Sequence, residues 1–183
     1  MKNSGIGMSE PTLRVYAEAL RRLFVLQEVK AWAPALRSRT PLRSAKVWHL
    51  CDPSLATAAL GVNEQGLLQD LPTMGLLFES LCVRDLRVYS SVFGSDVYRY
   101  RDKGNLEVDA IPRLQDGRWA GIEVKLGGAE RIEEGAGNLK ALVGKVDHDK
   151  MGRPAFLMVL TGGEFAYTRS DGVHVVPLGC LMP

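Results

Sequence analysis

Two short stretches carry charge where the surrounding pattern is apolar. One is LEVDAI, residues 106–111, with Glu107 and Asp109. The other is GIEVKLGG, residues 121–128, with Glu123 and Lys125. Both read as strands, and strand side chains alternate between faces. Glu107 and Asp109 are therefore expected on one face, with Val108 opposite. Glu123 and Lys125 share a face in the same way, with Val124 opposite. If the two strands are hairpin neighbours, Asp109 and Glu123 converge. Carboxylate oxygens are the donors that hard divalent cations take. Mg²⁺ binds through one or two of them plus waters and phosphate, at about 2.0–2.1 Å. Asp109 and Glu123 suit Mg²⁺ or Mn²⁺, with the Val124 carbonyl as a further ligand. A cation held there acidifies its water and steadies charge on a phosphate under attack. Lys125 would orient that water or neutralise the developing charge. The competing reading is an ordinary ion pair of these acids with Arg101 or with Lys125 itself, worth about 0–1 kcal/mol if exposed.

The elements that must position these residues follow from periodicity. Residues 74–93 form a dense apolar pattern (Leu77, Phe78, Leu81, Cys82, Leu86, Tyr89, Val92), read as a long, mostly buried helix containing Glu79. DVYRYR, LEVDAIPRL and RWAGIEVKL are three strands, turned at KGN and QDG, where residues tolerant of positive φ stand. AERIEEGAGNLKALVGKV reads as a second helix interrupted by glycines. AFLMVLT is a strongly apolar, central strand, and EFAYTR and VHVVPL are two more. Gly127 and Gly128 make a turn. The class is α/β, with the order αβββαβ over a mixed sheet. Glu79, Asp109 and Glu123 are expected to line one cleft.

Upstream, Ser9 caps a helix with Pro11 in its first turn. Leu13, Tyr16, Ala17, Leu20 and Phe24 then mark one apolar face. A strand near LFVLQEVKAW, a proline- and arginine-rich turn, and the strand KVWHL complete a partial winged-helix pattern. Arg37, Arg39 and Arg43 would lie at or near its wing tip. DPSLATAALG is a short helix stopped by Gly61, and VNEQGLLQDLPTM a linker with some helical content. The expected division is a winged-helix-like segment over residues 1–65 and a second domain over residues 66–183. Residues 1–50 hold nine Lys or Arg against three Asp or Glu. With Arg14, Arg21 and Arg22, the wing arginines are candidates for DNA phosphates, a salt-sensitive contact. The same basic face could instead dock a protein domain.

On an αβββαβ order, an acid-bearing helix, then EVD, then IEVK resembles the PD-(D/E)XK nuclease superfamily. Asp109 matches its Asp, Glu123-Val124-Lys125 its (D/E)xK, and Glu79 the acid often found on its first core helix. Asn138 stands where some of its nucleases carry Gln. The segments GLLFESLCVRDL, YRYRDKGNLEVDAI, GIEVKLG and GVHVVPL together resemble one branch, a C-terminal domain that follows an AAA-type ATPase in many bacterial and archaeal proteins. MSEPTLRVYAEALRRLFVLQEV and KVWHLCDPSL resemble the segment between ATPase and core there. The resemblance implies a restriction-endonuclease-like core, a metal-dependent DNA phosphodiesterase with catalytic Lys125 and Glu79 and metal ligands Asp109, Glu123 and Glu79, and an ATPase domain as partner. The alternative is a catalytically inactive DNA-binding or ATPase-coupled regulatory module.

Composition narrows the classes. The chain of 183 residues has no G-x-x-x-x-G-K-[ST], so it carries no P-loop. With the opening inside the winged-helix pattern, this reads as a C-terminal fragment. Cys51, Cys82 and Cys180 are odd in number and widely spaced, with no CxxC. That argues against a zinc site and for a reducing, cytoplasmic location. Cys82 is expected in the core. His49, His148 and His174 show no ligand spacing. Trp32, Trp48 and Trp119 are read as core or rim residues. No signal peptide or membrane span is visible.

Overall fold

The computed structural model describes residues 8–36, Leu42 and residues 46–181. Arg37, Arg39 and Arg43 lie outside the described residues. Helix α1 spans Glu10–Arg22, and the Ser9 hydroxyl accepts from the Thr12 N–H as its cap. Strands β1 (Leu26–Val29) and β2 (Val47–Leu50) pair antiparallel. The apolar face expected on α1 is there in sequence but not buried. Leu13 and Leu20 stay exposed, and Phe24 lies past the helix end at φ +59, largely in water. Periodicity specified a helix here, but none of its residues is buried.

Helix α2 (Ser54–Leu60) stops at Gly61, whose φ of +65 is the left-handed cap that glycine favours. The linker expected to have some helical content holds helix α3 (Glu64–Gln69), capped by the Asn63 side chain. Helix α4 spans Leu71–Val92, starting earlier than the apolar pattern indicates, because the Asp70 carboxylate caps it at Thr73 and Pro72 fits its first turn. Cys82, Val83 and Leu86 are buried along it, whereas Val88 and Val92 in its last turns face solvent. The helix expected to be mostly buried is thus buried in its middle and exposed at its end.

Strands β3 (Asp96–Arg101), β4 (Glu107–Arg113) and β5 (Gly121–Lys125) follow, then α5 (Ala129–Lys145), α6 (His148–Met151), β6 (Leu157–Thr161), β7 (Tyr167–Thr168) and β8 (His174–Pro177). The mixed six-stranded sheet has the order β3-β4-β5-β6-β8-β7. Pairs β3–β4, β4–β5 and β7–β8 are antiparallel, while β5–β6 and β6–β8 are parallel. Parallel β5 and β6 need a long crossover, which α5 supplies.

Alternation along the strands divides the core between the two faces of the sheet. Cys82 and Leu86 of α4 pack with Ala110, Ile122, Val124, Met158 and Leu160. Ala136, Leu139 and Leu142 of α5 pack on the other face with Tyr100, Val108, Ile111 and Val159. Helix α5 is continuous, not interrupted. Its Gly135 lies so close to β5 that a Cβ there would meet Glu123 Cβ at 3.3 Å. That glycine marks a close approach, not a break. The chain after β1 runs along β3: Trp32 N–H donates to the Arg99 carbonyl, and its ring packs on Trp119 with centroids 4.8 Å apart. No helix among the described residues is long and apolar enough to cross a membrane.

Candidate functional site

The site forms where β4 and β5 stop pairing. Two residues of β4, Asp109 and Ala110, oppose the single residue Arg99 of β3, which makes a β-bulge. A bulge turns a side chain out of simple alternation. Beyond the pair Ala110–Ile122 the ladder between β4 and β5 ends. The Val124 N–H donates instead to Asp109 Oδ2 at 2.8 Å, so a side chain takes the place of a ladder carbonyl. Part of Asp109 reaches solvent, but its carboxyl is packed round by neighbours. Burial pushes that carboxyl above its usual range, although the Val124 bond and the Lys125 charge pull the other way.

Strand β5 brings the other two groups. Ile122 and Val124 point into the core beneath α4, so Glu123 and Lys125 point toward α5, as alternation requires. Glu123 is 2% exposed. Its Oε2 lies 3.0 Å from Lys125 Nζ, and Asn138 Nδ2 of α5 donates to its Oε1 at 3.4 Å. Burial and the Asp109 charge still raise the Glu123 carboxyl to about 8. Burial alone would lower Lys125; the charges of Glu123, Asp109 and Glu134 outweigh it and hold the ammonium firmly protonated.

Glu79 reaches the same place from α4. Burial, then the charges of Asp109 and Glu107, raise it to about 7. Its Oε1 stands 3.9 Å from His49 Nε2 of β2. Burial, with the charges of Arg99 and Arg87, depresses His49 to about 4. The imidazole is therefore neutral near neutral pH, and the contact is a polar one, not an ion pair.

Together Glu79, Asp109, Glu123 and Lys125 line a cleft of about 340 Å³, with Asn105, Glu107, Glu134 and Asn138. Of its five carboxyl groups, Glu79, Asp109 and Glu123 gather round the one ammonium, Lys125, while Glu134 pairs with Arg131 at 3.4 Å. Glu107, which shares this lining, pairs with Arg99 at 3.3 Å and Arg101 at 3.4 Å. The donors are oxygens, the set a hard divalent cation takes. Among the described residues no three acidic, His or Cys side chains already stand close enough to hold one ion in common. Glu123 is engaged by Lys125 and Asp109 by Val124, so a cation would have to draw Glu123 off the amine. Arg14 does not join the cleft. It is exposed on α1 and paired with Glu10 at 2.8 Å.

Sequence reasoning missed four participants. His49 and Arg99 come from remote elements and interrupt no local pattern. Asn105 stands in the β3–β4 turn at φ +63, and Glu134 on a helix read for its glycines and for Asn138. The KGN turn was the one available signal, because it places Asn105 where positive φ is needed.

Residues 74–181, more than half of the chain, match a family model described as a domain of unknown function, DUF4143. The chain belongs to the DUF4143 family. Every cleft-lining side chain falls within the DUF4143 match, while His49 does not. Residues 2–66 match a second model, the domain of unknown function DUF8612. Among solved structures, the DUF4143 chain is similar to one in an assembly of Thermococcus gammatolerans McrB AAA+ hexamers with bound McrC, at 10% identity and a TM-score of 0.35. The match covers 97% of this chain and 64% of that one, less than two thirds of its length. No curated protein matches.

Proposed function

We propose that this DUF4143 chain is a metal-dependent DNA phosphodiesterase. Residues 66–183 would form a restriction-endonuclease-like core and residues 1–65 a partial winged helix that adds DNA affinity through Arg14, Arg37, Arg39 and Arg43. The carrying observation is the convergence of Asp109, Glu123 and Lys125 in a cleft with more carboxyl groups than its one ammonium can neutralise. Acids raised by burial and mutual repulsion favour whatever lowers their charge, and a cation does so. The order of α4, β3, β4, β5, α5 and β6 supports the core assignment. The limits of the two family matches, at residues 66 and 74, support a division in that region.

Asp109 and Glu123 would hold Mg²⁺ or Mn²⁺, with Glu79 on the third side. A bound ion of this kind would supply Lewis-acid polarisation of a phosphate and a bound water more acidic than bulk water. Lys125, freed from Glu123, would place its ammonium against the charge developing on the phosphate. Asn138 would keep the Glu123 carboxyl oriented. Glu79, on the α4 side of the same cleft, would assist as a further oxygen donor to that ion.

The test is incubation of supercoiled plasmid with the chain and Mn²⁺, beside Asp109→Ala and Lys125→Ala. Nicking that both variants lose supports the reading; no nicking by the wild type sinks it. A second reading is a module that keeps the fold without turnover, coupled to an AAA-type ATPase. The closed pairing of Glu123 with Lys125 favours it, and so does the uncovered apolar face of α1. Salt-sensitive DNA binding without nicking is its signature.

A further inference from the structure

A second cleft, of about 460 Å³, opens beside the acidic one and shares Glu79 and Lys125 with it. Its other walls differ in kind. Leu71, Leu76 and Phe78 of α4 line it with Leu126, and Arg131 of α5 completes the lining. Leu71 and Leu76 are 57% and 67% exposed. The fold thus leaves apolar surface in water directly beside charged groups. The α4 wall is cut back at Gly75, where a Cβ would meet only Leu126 Cδ1, at 3.8 Å. Arg131 is 71% exposed and loosely paired with Glu134 at 3.4 Å. Its guanidinium can turn to a phosphate.

An apolar trough continuous with a phosphate-handling pocket matches one part of a nucleic acid and not another. A duplex hides its base faces by stacking and offers phosphates, sugars and groove edges. An unpaired nucleotide offers a flat apolar face, which strand-binding proteins seat on apolar and aromatic side chains beside cations that hold the backbone. The volume lies within the about 300–1,000 Å³ of small-ligand pockets. From this we infer that the cleft seats an unpaired base next to a phosphate placed against Lys125, so that the substrate is single-stranded or locally unpaired nucleic acid. The inference rests on the phosphodiesterase reading above.

The test compares fluorescence anisotropy of labelled oligothymidine and of a labelled duplex of equal length, in Ca²⁺ at one fixed salt concentration. The single strand is expected to bind at least about tenfold more tightly. Gly75→Leu fills the trough from a helical position where leucine is the better helix former. Leu76→Glu is a separate change at an exposed site, and it charges the trough without touching the core. Each should abolish the strand preference while leaving duplex affinity in place. Equal wild-type affinity for the two probes, or a preference unchanged in both variants, overturns the proposal. Plasmid nicking in Mn²⁺, read in parallel, separates the two claims. Nicking that needs Asp109 and Lys125, without strand preference, removes the base seat and leaves the nuclease reading standing. A strand preference lost in both variants, without nicking, keeps the base seat and removes the nuclease reading.

Discussion

Replacing Glu123 with glutamine should stabilise the protein, and only at high pH. The Glu123 carboxyl is buried, and its pKa is moved from 4.5 to about 8 by burial and by the Asp109 charge. At about 1.4 kcal/mol per pKa unit, ionising it inside the folded protein costs up to about 5 kcal/mol. Asp109 and Glu79 titrate with it around the same Lys125. The proton therefore belongs to the cluster, and about 2 kcal/mol is expected from Glu123 itself. The folded carboxyl keeps a proton that the unfolded chain releases above about 4.5. Stability is therefore fully present below that pH and is lost as pH rises through about 8. Glutamine has the same shape and no such loss. Thermal melts of wild type and Glu123→Gln, in EDTA, should agree near pH 5 and diverge by about 4–8 °C at about pH 8.5, with the variant higher. If the variant melts at or below the wild type at the higher pH, Glu123 is an ionised partner held by Lys125. The strained acid cluster behind the proposed function would then be gone.

His49 should act in the opposite direction. Its pKa, held at about 4 by burial and by Arg99 and Arg87, makes stability fall as pH drops from about 6.5 through 4, and His49→Gln melts should lose that acid limb. Gly135→Val should cost about 1–3 kcal/mol by overpacking and should also weaken Mn²⁺-dependent stabilisation, because the new side chain meets Glu123, Lys125 and Val159. Asp102→Ala should cost about 3 kcal/mol in denaturant titrations while leaving nicking chemistry in place. That carboxylate is fully buried on Lys145, the Tyr100 hydroxyl and the Leu106 N–H, and it does not itself line the acid cleft.

Charges that break an apolar alternation made the site legible. Asp109, Glu123 and Lys125 stood out because neighbours such as Val108, Ile111, Ile122 and Val124 demanded a buried strand around them. The same periodicity located α4, α5 and the strands. Other features had no local signal. The bulge at Asp109–Ala110 depends on the register with β3, a property of two strands and not of one. Gly135 reads as a helix breaker until the distance from α5 to β5 is known. Helix α3 is too short for periodicity to bound within the expected linker. The neutral His49 beside Glu79 joins residues thirty positions apart. No apolar pattern tells whether a face such as that of α1 is covered.

The most direct measurement is a crystal structure of the chain soaked in Mn²⁺, with anomalous density collected at the manganese edge. A peak between the Asp109 and Glu123 carboxylates, with Lys125 Nζ withdrawn from its 3.0 Å contact with Glu123, is the predicted result. No peak, with that contact kept and Asp109 still bound to the Val124 N–H, would contradict the account.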